Sequence, residues 1–144
     1  MIAVAVVKYI MTSSDKSLED KAIDLKGKKY VMVKDRLAYF NETYPKGAIK
    51  TEFVEMRETD GGMLFVVRAQ VFPEGGSDNY DSRVFTGLSQ ATLGGKGANK
   101  EAALENAETS AVGRALAFMG IGVIDSIASK DEMTKAGVDD EIPF

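Results

Sequence analysis

The chain contains no cysteine and no histidine. Without cysteine there is no disulfide and no thiolate nucleophile, a composition that fits a reducing compartment. With both residue types missing, zinc sites, Ser-His-Asp triads and histidine acid–base chemistry drop out. An enzyme built on this chain would have to work with carboxylates, lysine, tyrosine or serine. No apolar run approaches the roughly 18 residues that a membrane-spanning helix needs. The first ten residues, MIAVAVVKYI, are apolar but lack the basic leading segment and small-residue cleavage site of a secretory signal. They read as a strand, or as a segment that packs against a neighbour.

What remains is ordinary for a soluble globular chain: 144 residues, 44% hydrophobic and 28% charged, enough for one domain and a short tail. The formal charge of −4 is unevenly spread. Residues 131–144 hold five acids (Asp131, Glu132, Asp139, Asp140, Glu141) against Lys135 alone. The other 130 residues carry 17 bases and 17 acids. The acidity sits in the tail, and the body is free to present a basic groove.

Residues 12–29 are polar and charged and read as a loop with at most one helical turn. Residues 31–43 read as a helix: Val33, Leu37, Phe40 and the following Tyr44 recur at helical spacing, and Pro45 and Gly47 stop that helix. The period then changes to two. Residues 48–58 and 63–72 read as strands joined at Asp60-Gly61-Gly62, and residues 82–91 read as a third. After the basic loop 94–97, Asn99 looks like the N-cap of a long helix running to about Met119. Ala103, Ala107, Ala111 and Ala115 form a small-residue ridge on it, and Gly120-Ile121-Gly122 ends it. A short helix within 123–135 is a further expectation, and no internal repeat appears. The fold class is α+β: helix, three-stranded antiparallel meander, long helix packed on the sheet. Residues 1–130 form the domain, and 131–144 form a disordered acidic tail.

The tail ends Asp139-Asp140-Glu141-Ile142-Pro143-Phe144. An apolar hook on a flexible anionic tether suits a basic, hydrophobic pocket on a partner; a merely solubilising tail is the alternative. The six residues resemble the acidic tip of bacterial single-stranded DNA-binding proteins. That resemblance implies recruitment of replication and repair proteins of a host or phage, with Phe144 as the hook.

The body, Tyr30 to Met133, resembles the single-strand annealing superfamily, which includes the phage Erf-type proteins and the ring-forming eukaryotic annealing mediator. The likeness rests on Tyr30-Val31 through Arg36-Leu37 and Asn41-Glu42, on the hairpin at Asp60-Gly61-Gly62, and on GKGANKEAALENAETSAVGRALAFMGIGV. It implies DNA held in a basic groove around a ring or filament of copies, in a bacterial cytoplasm. Carried over, Arg36 and Arg114 fall on DNA-contacting positions, and Lys96 falls in the basic loop. Where the eukaryotic protein has two adjacent bases, this chain has Gly113-Arg114, so it has one cation fewer for the strand.

The residues themselves support a related reading. Holding bare strands takes cations that track phosphates and aromatics that stack on bases. Arg57, Arg68, Arg83, Lys96 and Lys100 fall on or beside the sheet and loop, with Tyr80 and Phe85 nearby. Each cation taken singly reads as a solvated surface residue, and Phe65 reads as core. Arg36 also fits a pairing with Asp35 or Glu42. The expected function is single-stranded DNA binding in recombination, annealing, repair or replication, with no catalysis and no cofactor. A barrel-type replication protein is the second reading. A magnesium-dependent nuclease using Glu52, Glu55 and Asp60 is the third, weakened because Glu52 and Glu55, three apart on a strand, should point to opposite faces.

Overall fold

A computed structural model describes residues 18–76, 83–125 and 127. The expectations placed on residues 1–10, on Tyr80 and on the tail 131–144 fall outside the described residues, as does most of the short helix expected over 123–135.

Residues 18–20 are helical and anchor Leu18 in the core. The segment expected to be a loop then forms a small antiparallel hairpin, β1 (Ile23–Leu25) and β2 (Lys28–Tyr30). Its turn is Lys26-Gly27, both with positive φ (48° and 82°), the primed geometry that matches strand twist. The Gly27 amide donates to Asp24 Oδ1 at 2.8 Å. Two three-residue strands are too short to show an apolar period, which is why the sequence pattern hides them.

Helix α1 spans Val33–Thr43. The meander follows as β3 (Ala48–Thr59), β4 (Gly62–Phe72) and β5 (Phe85–Thr92), in the order β3-β4-β5. This sheet is open, with β3 and β5 as its edges, so the described residues do not form the closed barrel of the second reading. The β3–β4 connection is two residues, Asp60-Gly61, between paired Thr59 and Gly62. Gly62, at φ 124°, carries the unusual backbone. A Cβ there would lie 1.9 Å from the Leu93 carbonyl oxygen, so only glycine lets the chain leaving β5 cross the hairpin.

Helix α2 spans Ala103–Phe118, starting later than the sequence pattern suggests. Asn99 sits in a 3₁₀ turn, Gly97–Lys100, and is not the cap; Ala102 precedes α2. The alanine ridge behaves as expected: Ala103, Ala107, Ala111 and Ala115 are buried against the sheet. The closest approach is at Gly87 of β5, where a Cβ would meet Ala111 O at 2.2 Å and Ala115 N at 2.5 Å. Gly113 gives α1 the same access, since a Cβ there would meet Val33 Cγ2 at 2.6 Å. Gly120 (φ 94°) ends α2. Its amide donates to Ala117 O and that of Ile121 to Leu116 O, the paired bonds of a Schellman end, and Ile121 is buried behind them.

The core therefore lies between α2, α1 and one sheet face, around Phe40, Val67, Ala69, Val71 and Leu116. Phe65 packs against it, as expected. The other sheet face is open and mixed: Glu52, Glu55, Arg57, Arg68 and Gln70 stand there among Leu64, Val66 and Leu88.

Candidate nucleic-acid interface

The register sorts the candidate residues by face. Glu52 pairs with Arg68 and Arg57 with Leu64, but the pairing slips between Phe53 and Glu55. One extra residue, Val54, is accommodated in a bulge. Glu55 consequently stands opposite Val66, two residues from Arg68 on the same strand. Glu52 and Glu55 thus share the open face, a correction to the strict alternation that put them on opposite sides. Their neighbours are cations rather than a metal site. Arg68 Nε donates to Glu52 Oε1 at 2.6 Å, and Arg57 lies 2.7 Å from Glu55. Among the described residues no three acids gather as metal ligands, so the carboxylate set of the nuclease reading is not assembled.

Arg36 departs furthest from expectation. It is 3% exposed. Its Nε donates to Val31 O at 2.9 Å, and one terminal nitrogen donates to Gly113 O at 3.3 Å. The guanidinium also stands 5.4 Å from the Tyr30 ring centroid. Burial pushes its pKa down, with Tyr30 opposing the shift, yet arginine keeps its proton at any working pH. It pairs with neither Asp35 nor Glu42. Arg36 ties the segment before α1 to α2, and in this position it cannot reach a phosphate. The helical pattern placed it correctly in sequence but could not show that its side of α1 faces α2.

The remaining cations border β5. Arg83 precedes the strand and lays its guanidinium 4.9 Å from the Phe85 centroid. Arg114 lies beside Gly87, where an added Cβ would be 3.0 Å from the Arg114 Cβ. Its guanidinium sits 5.6 Å from the ring of Phe118, which is 48% exposed. Lys96 and Lys100, both exposed, follow β5 in the turn that leads into α2. Sequence reasoning missed Phe118 because a phenylalanine at a helix end reads as core.

Helix α2 separates two kinds of surface. Glu108 accepts a 2.6 Å hydrogen bond from Thr51 Oγ1 of β3, and Glu105, three residues earlier, shares its face. Arg114, six residues after Glu108, has turned about 240° round the helix, to the β5 side. Acids line the β3 flank and arginines the β5 flank. The candidate cations are thus divided: Arg36 in the core, Arg57 and Arg68 in ion pairs on the open face, and Arg83, Lys96, Lys100 and Arg114 along β5.

None of the helices in the described residues is long and apolar enough to cross a membrane. No curated protein matches the chain. The family model that does match covers residues 37–119, from the middle of α1 to the end of α2, more than half of the 144 residues. It is not a model of the annealing superfamily, so the likeness to annealing proteins does not extend to membership. What carries over is coarser: a domain whose fold is like that of nucleic-acid-binding domains. The chain belongs to the family described as Slr1353 N-terminal dsRNA-binding domain-like.

Proposed function

We propose that the chain binds single-stranded DNA along the β5 flank, without altering it chemically. The observation that carries this reading is the pair of arginines resting on aromatic rings there, Arg83 on Phe85 and Arg114 on Phe118. Arginine supplies charge for phosphates, and the exposed ring of Phe118 supplies a platform for an unstacked base, while Phe85, partly buried against the core, seats Arg83. A duplex, its bases already stacked, has little use for such a ring. Lys96 and Lys100 extend the charge past the far end of β5, and the acids on the other side of α2 keep a strand to this flank.

In this reading the protein serves recombination, annealing, repair or replication in a bacterial cytoplasm, as a ring or filament of copies. Residues 139–144 recruit replication or repair proteins of the host or phage. The family match favours a second reading, duplex RNA, recognised by shape and backbone, with Lys96 and Lys100 at the start of α2 touching its phosphates.

Fluorescence anisotropy with oligo-dT, duplex DNA and duplex RNA over a salt series separates the two. The single strand should bind tightest. R83A with R114A should weaken oligo-dT binding by about tenfold or more at low salt, because it withdraws two charges that neutralise phosphates. It should also flatten the salt slope by about 0.7 for each phosphate that the variant no longer neutralises. Preference for duplex RNA, with loss of binding in K96A/K100A but not in R83A/R114A, overturns the first reading in favour of the second.

A further inference from the structure

The free edge of β3 is the least covered part of the described structure. Its side facing α2 carries Phe53 and Met56, with Val54 in the bulge between them; these residues are 60%, 61% and 50% exposed. The Phe53 ring tilts toward Phe65 at 6.5 Å between centroids. Beside it a shallow groove of about 160 Å³ runs between β3 and α2, lined by Thr51, Phe53, Leu104 and Glu108 among others. A long apolar edge strand offers unpaired amides and carbonyls together with greasy side chains, an arrangement that proteins normally cover.

We propose that residues 2–10 of the same chain cover it, adding a fourth strand at the β3 edge. The segment IAVAVVKYI is rich in the β-branched and aromatic residues that suit a pleated surface. In an extended strand Ile2, Val4 and Val6 share one side, and this side seats on Phe53 and Met56. Ala3, Ala5, Val7 and Tyr9 lie on the other side. The one charge in the segment is Lys8, while the charged side chains that line the groove are acids, Glu52 on β3 and Glu108 on α2, with Glu105 one turn before Glu108. Backbone pairing supplies affinity, and the alternating side chains set the register.

A second copy of β3 is a poorer occupant. In the antiparallel pairing centred on Phe53 and Val54, Glu52 meets Glu55 and Lys50 meets Arg57, and like charges directly opposite repel. Tethering also favours the segment. Residues 11–17 span up to about 24 Å when extended, and a tethered strand is present at an effective concentration in the millimolar range. Capping in this way removes β3 from the surfaces through which copies join, and it is independent of what the β5 flank binds.

The chain contains no tryptophan, so F53W is a single reporter. In the full chain its emission should be blue-shifted. Deleting residues 2–10, or introducing V4D with V6D, should move the emission to the red and raise acrylamide quenching severalfold. Amides of residues 52–57 should lose hydrogen-exchange protection in parallel. Cooperative unfolding by circular dichroism confirms that each variant folds, and L88W on β5, an exposed site, should not respond. Equal quenching of F53W with and without residues 2–10 overturns the proposal. So does quenching protection that appears only as protein concentration rises, because a second copy would then be the cover.

Discussion

The two flanks of one sheet meet α2 on different terms. At the β5 flank a glycine and an alanine ridge let helix and strand approach to backbone contact, and arginines on aromatic rings border the junction. At the β3 flank the helix stands off. A groove opens, Phe53 and Met56 are exposed, and the polar link across it is Thr51 to Glu108. Tight packing holds the β5 flank in one geometry, which suits a surface that must present charges in register to a ligand. The loose flank has apolar area still to bury, which suits one that receives another segment of chain.

The largest break in this contrast should come from Gly87. G87V places a side chain against Ala111 O and Ala115 N, backbone atoms that cannot step aside. Overpacking of this kind costs about 3 kcal/mol or more. Urea titration should show a much lower midpoint, or no folded baseline at all. E58T, at an exposed β3 position, should change stability by no more than about 0.5 kcal/mol. Comparable losses at both positions would mean that α2 does not favour one flank.

The next effect concerns Arg36. R36M keeps most of the volume but leaves the Val31 and Gly113 carbonyls without the arginine donor. The Gly113 carbonyl lies inside α2 and keeps a helical hydrogen bond, so the buried group left unpaired is Val31 O, and a loss of about 1–3 kcal/mol is expected in denaturant. Nucleic-acid affinity per folded molecule should be unchanged. A variant of wild-type stability with weakened binding would return Arg36 to the ligand surface, where the annealing resemblance put it.

These two residues show what the chain discloses in one dimension. The meander and long helix were legible because their periods are long and clean. The 12-residue β3, the 11-residue β4 and the alanine ridge of α2 all repeat a pattern often enough to identify it. The β1–β2 hairpin was not legible, since three residues a strand carry no period. The bulge at Val54 was invisible as well, because it changes partners rather than composition, and it reversed the expected relation of Glu52 and Glu55. Of the candidate site, the four β5 cations were nameable from sequence, though not as a group. Their association depends on which way α2 turns after Glu108, and that is set by the packing of Gly87 and Ala111. Arg36 failed for the same reason in reverse: a cation at mid-helix reads as solvated until another helix is laid over it.

The smallest effect should come from the open face, where Arg57 and Arg68 are held by Glu55 and Glu52. Both pairs are substantially exposed, and pairs of this kind contribute about 0.2–1 kcal/mol. R57Q and R68Q should therefore lower stability by that amount or less. Because each arginine is already engaged by a carboxylate on the same face, neither is placed to neutralise a phosphate unless that ion pair opens. The salt slope of oligo-dT binding should stay as it is in the unaltered protein, in contrast to R83A/R114A. Should R57Q/R68Q flatten the slope as much as the β5 pair does, the strand crosses the open sheet face, and the ion pairs seen there open when it binds.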